Sequence, residues 1–150
     1  MKLSKKAEYA MRALLAMSRA QEGTNFSILD LATKEKIPLK FLEQILLTLK
    51  NGGLLRSKRG VGGGYQLNKS PSKMTLGEII TIMDGPFEAI PCASRSGRPG
   101  VMCECGILGG CGLGQTFAVL RRDVTAWMEQ TTLADVLEHE KVKTEVSFDI

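Results

Sequence analysis

Residues 27–67 read SILDLATKEKIPLKFLEQILLTLKNGGLLRSKRGVGGGYQL, and the order of signals in this stretch decides the fold. Ser27 can cap a helix while Asp30, three residues on, completes a capping box; Ile28, Leu31 and Ala32 supply the apolar side. Ile37-Pro38 breaks that helix, because the residue before proline avoids the helical region and proline suits the first turn of a new helix. The next helix spans about Pro38 to Lys50, with Phe41, Leu42, Ile45 and Leu49 facing inward and Gly52-Gly53 ending it. Leu54 to Arg59 then reads as a strand, Gly60 to Gly64 as a turn and Tyr65 to Leu67 as a returning strand. A short helix, a tight turn, a second helix and a basic hairpin form the order of a winged helix-turn-helix.

Upstream, Leu3, Ala7, Ala10, Met11, Leu14, Leu15 and Ser18 recur at helical spacing until Gly23 stops the pattern. Downstream, Ser70-Pro71-Ser72 bounds the wing unit, and Thr75 with Glu78 starts a helix whose apolar side is Leu76, Ile79, Ile80 and Met83. Residues 85–114 hold 8 of the 16 glycines, 3 of the 5 prolines and all four cysteines, and a loop of that length in a compact chain points to function. Beyond it, Phe117, Leu120, Val124, Trp127 and Thr131 alternate intervals of three and four, the seam of a helix against another long helix. The same helix of a second subunit is the expected partner; packing on the N-terminal unit is the alternative. Thr132 and Asp135 cap a last short helix through Leu137, and residues 139–150 read as a polar tail. The expected fold is mainly α with a small β-hairpin wing. It comprises a DNA-binding unit at 1–70, a stretch at 71–138 with a connecting helix, cysteine-rich loop and dimerisation helix, and the tail.

A chain of 150 residues can bury a core without disulfides, and 43 % apolar with 24 % charged residues excludes a disordered or fibrous chain. No run of 18 apolar residues exists, which excludes a membrane helix, and Glu8, Arg12 and Arg19 interrupt any signal-peptide pattern. A cytoplasmic location is therefore expected, where four cysteines read as metal ligands or redox thiols rather than structural bridges. Residues 1–70 carry 13 Lys/Arg against 5 acids, a net +8, and the remainder a net −4. A basic half suggests a polyanionic partner, with a merely solvated basic face as the alternative.

In a helix-turn-helix the second helix presents its N-terminal residues to base edges, here Leu39, Lys40, Glu43 and Gln44. Gln can pair with adenine, Lys with guanine, and Glu can accept from cytosine. Arg59 at the wing tip, beside glycines, suits the minor groove or a phosphate. The glycine turn is not a nucleotide loop, since no helix opens after it and no Lys-Ser/Thr follows. Cys92, Cys103, Cys105 and Cys111 are soft ligands whose spacing matches neither a zinc ribbon nor a ferredoxin run, leaving an iron–sulfur cluster, a zinc site, a disulfide switch or inert thiols open. The lone histidine, His139, lies in the tail and reads as solvated. No paired carboxylates, nucleophile–histidine pair or phosphate loop points to an enzyme.

Met1-Lys2-Leu3-Ser4 with Tyr9-Ala10, Phe41-Leu42-Glu43-Gln44-Ile45, Arg59-Gly60-Val61-Gly62-Gly63-Gly64-Tyr65, Thr75-Leu76-Gly77-Glu78-Ile79-Ile80 and the Cys92–Cys111 loop together resemble one family. It is the bacterial winged-helix iron–sulfur regulators that include IscR, NsrR, RirA and CymR, and the resemblance covers residues 1 to about 138. It implies a homodimeric transcription regulator, taken as a repressor, that binds double-stranded DNA and needs no membrane or small-molecule substrate. The implied DNA contacts are Ser27, Ile28, Pro38, Leu39, Lys40, Glu43, Gln44, Arg59, Gly60, Val61, Gly62, Gly63 and Tyr65. It also implies an iron–sulfur cluster, 2Fe–2S in preference to 4Fe–4S, that senses redox state, iron or nitric oxide and is held by Cys92, Cys105 and Cys111. The chain departs from the family in having twelve residues between Cys92 and Cys105, an extra thiol at Cys103, and Gly114 where some members carry a histidine ligand. The resemblance then points to Glu8, donated across the dimer, as fourth ligand, with Cys103 as its rival. The alternative is a cluster-free regulator governed by cysteine oxidation or a partner protein.

Overall fold

The first helix, α1, spans Lys5–Ser18, and the hydroxyl of Ser4 accepts from the Ala7 amide at 3.1 Å to cap it. Leu3, expected to open the apolar stripe, lies exposed ahead of that cap, because a serine that caps cannot also sit inside the helix. The buried face of α1 is Ala7, Ala10, Ala13, Leu14, Ala16 and Met17. Its four alanines let neighbouring helices approach closely. The computed structural model describes residues 2–90 and 111–146, with side chains as far as Lys141.

Helix α2, Ile28–Glu35, starts at Ser27, whose Oγ accepts from the Asp30 amide at 3.4 Å. It ends at Lys36, held in the left-handed region at φ 52°, after which the Ile37 amide donates back to the Ala32 carbonyl at 3.0 Å. The break is thus made one residue before Ile37-Pro38. A guanidinium helps make it: Arg12 of α1 donates to the Glu35 carbonyl and lies 5.5 Å from the Tyr9 ring. A cation at a helix C-terminus satisfies free carbonyls and complements the dipole. Pro38 is the N-cap of α3, Leu39–Asn51. Leu42, Ile45, Leu46 and Leu49 of α3 are buried, while Phe41, expected inward, is half-buried with its ring edge-on to Tyr9 at 5.7 Å.

Leu54 enters the core, and β1, Leu55–Lys58, pairs antiparallel with β2, Gly64–Leu67, in the register Leu55↔Leu67 to Lys58↔Gly64. A 3₁₀ turn at Pro71–Lys73 leads to α4, Leu76–Asp84, where Thr75 Oγ1 accepts from the Glu78 amide at 3.1 Å. Helix α5 is Gly112–Gln130, and α6 is Leu133–Val146. The chain between these two returns to the start of α4: the Leu76 amide donates to the Thr131 carbonyl and the Leu133 amide to the Met74 carbonyl, each at 2.9 Å. Met74, Ile79 and Leu133 share one core with Leu14, Met17, Leu31, Leu42, Ile45, Leu46 and Leu49.

The capping of α6 by Thr132 and Asp135 is as read from the sequence, but the helix continues beyond Leu137 to Val146. Nothing from Leu133 to Val146 is Gly or Pro, and Glu138 and Lys141 are spaced for a favourable pair along a helix. Arg19, just past α1, pairs with Glu140 at 2.7 Å and ties the outer part of α6 to the body. The described residues are mainly helical with a two-stranded hairpin, a winged helix with an added long helix.

Candidate nucleic-acid interface

The outer face of α3 is set by the burial of its inner face. With Leu42, Ile45, Leu46 and Leu49 inward, Leu39, Lys40, Glu43, Gln44 and Leu47 are exposed along the opposite side. Pro38 is exposed at the helix start. Ser27 and Ile28 are half-buried at the start of α2, where the Ser27 hydroxyl is occupied as a cap and Ile28 packs against the core.

The wing is held at its base and at its neck. At the base, Asn68 donates through its amide to the Leu54 carbonyl and through Nδ2 to the Gly53 carbonyl, each at 2.9 Å. Across the strands Arg56 Nε donates to Gln66 Oε1 at 3.0 Å. At the neck, Phe26 and Tyr65 exchange backbone hydrogen bonds of 2.8 and 2.9 Å, so the loop before α2 pairs with β2 as a third short edge. Tyr65, one of the sequence candidates for contacting DNA, is half-buried here and packs against the core. Gly63 is also structural: a Cβ there would lie 2.6 Å from the Lys58 carbonyl oxygen and 2.7 Å from that of Gly60. Arg59, Gly60, Val61 and Gly62 form the exposed tip, with Gly60 at φ 97° and Gly62 at φ 72°. Those conformations favour residues without a Cβ.

Among the described residues, no ion pair engages Lys40, Lys58 or Arg59, so their charges are available to an external anion. The basic tip and the exposed start of α3 are the parts of such a fold that meet a phosphate backbone and base edges. Asn25, Phe26 and Arg12 support this surface, and sequence reading missed all three. Their partners lie 23 to 39 residues away, and only the Asn-Phe pair ahead of the Ser27 cap hinted at a role.

Of the candidate cluster ligands, Cys92, Cys103 and Cys105 lie outside the described residues. Cys111 is half-buried at the N-cap of α5, beside first-turn amides that favour a negatively charged ligand. Glu8 stands in the first turn of α1, and its carboxylate accepts from Lys5 Nζ at 2.7 Å, which holds its pKa below the usual range. No group of three or more His, Cys, Asp or Glu side chains gathers among the described residues. Within one chain, therefore, Glu8 and Cys111 do not complete a site by themselves.

The fold is that of a winged helix, and the family match makes it a DNA-binding transcriptional regulator. The chain belongs to the Rrf2 family, described as an iron-dependent transcriptional regulator, whose model matches residues 3–139. A Rhodobacter capsulatus protein named as an rrf2-like HTH-type transcriptional regulator is 34 % identical over 140 residues, spanning 90 % of this chain and 91 % of the relative. The HTH-type regulator IscR of Escherichia coli is 35 % identical over 100 residues, 67 % of this chain and 62 % of IscR. The structure of CymR, the global cysteine regulator of B. subtilis, superposes with a TM-score of 0.73 at 24 % identity, covering 93 % of this chain and 98 % of CymR. Among the described residues, no helix is long and apolar enough to cross a membrane.

Proposed function

We propose that this regulator acts as a cytoplasmic homodimer, as a repressor, and that its input is an iron–sulfur cluster, 2Fe–2S in preference to 4Fe–4S. The observation that carries the reading is the exposed basic wing tip together with the exposed start of α3, a helix that packs on α4, which in turn packs on α5, the helix capped by Cys111. Residues 1–70 contact DNA in this reading, and 71–138 carry sensing and dimerisation. Lys40, Glu43 and Gln44, with Leu39 and Pro38, read base edges; Ser27 and Ile28 lie against the backbone; Arg59 enters the minor groove with Gly60, Val61, Gly62 and Gly63. Tyr65 supports the wing from behind. The operator is near-palindromic, with half-sites about one helical turn apart.

Cys92, Cys105 and Cys111 with the partner subunit's Glu8 would hold the cluster, Cys103 being the rival for the fourth place. Bound there, it would supply an electron-accepting, iron- and nitric-oxide-sensitive link between subunits. Glu8 must give up its pair with Lys5 to serve as a ligand, and a carboxylate is the most readily displaced member of such a set. Its release would free α1 of one subunit from the cysteine loop of the other, and α1 packs directly on α3 and α4. A bias on α1 is therefore a bias on the helix that reads DNA.

The test is an absorption spectrum with iron, sulfide and zinc analysis on dimer purified without oxygen. Visible absorption with matching iron and sulfide supports the cluster. A colourless, metal-free dimer that still binds DNA replaces it with thiol oxidation or a partner protein as the input, and zinc alone makes the loop a structural site.

A further inference from the structure

Asn25 belongs to none of the motifs above, yet it connects the two halves of the DNA-facing surface. It stands two residues ahead of the Ser27 cap, and its Nδ2 donates to the carbonyl of Gly62 at the wing tip, 37 residues away. Its neighbour Phe26 pairs through the backbone with Tyr65. The loop before α2 thus grips the wing twice, once at β2 and once at the tip.

The grip is shaped for an asparagine and a glycine. A Cβ on Gly64 would lie 2.2 Å from the Phe26 carbonyl oxygen and 3.1 Å from Asn25 Nδ2, so the two segments meet without room for a side chain. Asn25 Oδ1 is buried and meets no hydrogen-bond partner among the described residues. The side chain accepts that loss while its amide nitrogen serves Gly62. A carboxylate at this position would set oxygen against oxygen and bury charge. Within the turn, the Gly63 amide donates to the Gly60 carbonyl at 2.9 Å; beyond that bond and the Asn25 link, the exposed Gly60 and Gly62 have little to hold them, since glycines lose the most freedom when fixed.

We propose that Asn25 is a positioning residue for DNA binding: it fixes the wing tip, and with it Arg59, relative to the start of α2 and the helix that reads bases. The benefit is preorganisation, since ordering the tip before DNA arrives removes that cost from binding. The proposal rests on the wing's contact with DNA, and the experiment separates the two.

Affinity for an operator fragment is measured at fixed salt for the full-length dimer as wild type, Asn25→Ala, Asn25→Asp, Arg59→Ala and the two double variants. Loss of one such hydrogen bond predicts a weakening of about three- to tenfold for Asn25→Ala, and more for Asn25→Asp. In the Arg59→Ala background the same changes should cost little, because there is no tip arginine left to position. Amide exchange at Gly63 should quicken in Asn25→Ala whether or not DNA is present. Equal losses in both backgrounds would reduce Asn25 to a general stabiliser and overturn the proposal, as would unchanged affinity in Asn25→Ala with Arg59→Ala impaired. If Arg59→Ala itself binds normally, the reading of the wing fails instead, and faster exchange at Gly63 still reports the grip. Should Asn25→Asp fail to fold, the Asn25→Ala pair of backgrounds carries the test.

Discussion

Helices α3 and α5 carry apolar residues at the same three-and-four spacing, and the structure treats them in opposite ways. Helix α3 buries Leu42, Ile45, Leu46 and Leu49, each at 1 % exposure or less. Helix α5 buries only Gly114 and Met128, and leaves Leu113 62 %, Leu120 43 % and Trp127 60 % exposed. A stripe that closes a core and one that waits for a partner are indistinguishable as patterns; the difference lies in what the rest of the chain can place against them. Here α1, α2 and α4 surround α3, whereas among the described residues α5 packs chiefly on α4 through its Met128 side. In the reading proposed above, the open patch on α5 is where the second subunit packs, since exposed apolar patches commonly mark interfaces.

Four substitutions break or sharpen that contrast. The largest effect is expected from Leu46→Ala, which opens a cavity in a fully buried site and should cost about 2–5 kcal/mol of unfolding free energy, read from denaturant melts. An effect on α3 as small as a surface change would mean its stripe is not the core. Leu120→Asp should leave the melt of the isolated chain nearly unchanged but convert dimer to monomer by light scattering, and abolish operator binding with it; a stable dimer would move the interface elsewhere.

Gly64→Ala tests whether the wing is fixed or merely attached. With φ at 154° and the Phe26 carbonyl in the way, it should cost about 1–3 kcal/mol and weaken DNA binding, measured by melts and titration side by side. The smallest effect concerns the Asp135 cap at α6. Its carboxyl is held below the usual carboxylate range first by the Thr132 amide and then by the Thr132 hydroxyl, so the stabilisation is present above the ordinary carboxylate pKa and is lost as pH falls through the lowered value. Asp135→Asn should flatten the acid side of a plot of melting temperature against pH and change little near neutrality. An unaltered acid limb would show that the cap does not contribute.

Much of this was legible in residue order. Ser27, Thr75 and Thr132 announced three helix starts, because capping is satisfied by a side chain three positions away and so is written locally. The hairpin was legible because glycines, strand formers and basic residues fell in sequence, and the outward side of α3 followed from its inward side. The end of α2 was only half legible: proline signalled a break, but Lys36 in the left-handed region and the Arg12 guanidinium on the Glu35 carbonyl made it. The extent of α6 was not legible, since 139–146 carries no sustained apolar stripe at helical spacing, and its Glu140 meets Arg19 only once α6 has packed beside α1.

The sequence by itself determined the helix starts, the hairpin and the basic half, because caps, periodicity and glycine turns are short-range and act within a few residues; the family followed from the likeness of whole stretches to known regulators. Tertiary structure alone decided which apolar stripe became core and which stayed open, and that the loop at Asn25-Phe26 grips the wing. Those outcomes depend on groups brought together across tens of residues, where a hydrogen bond or a buried face exists only once the chain has closed around it.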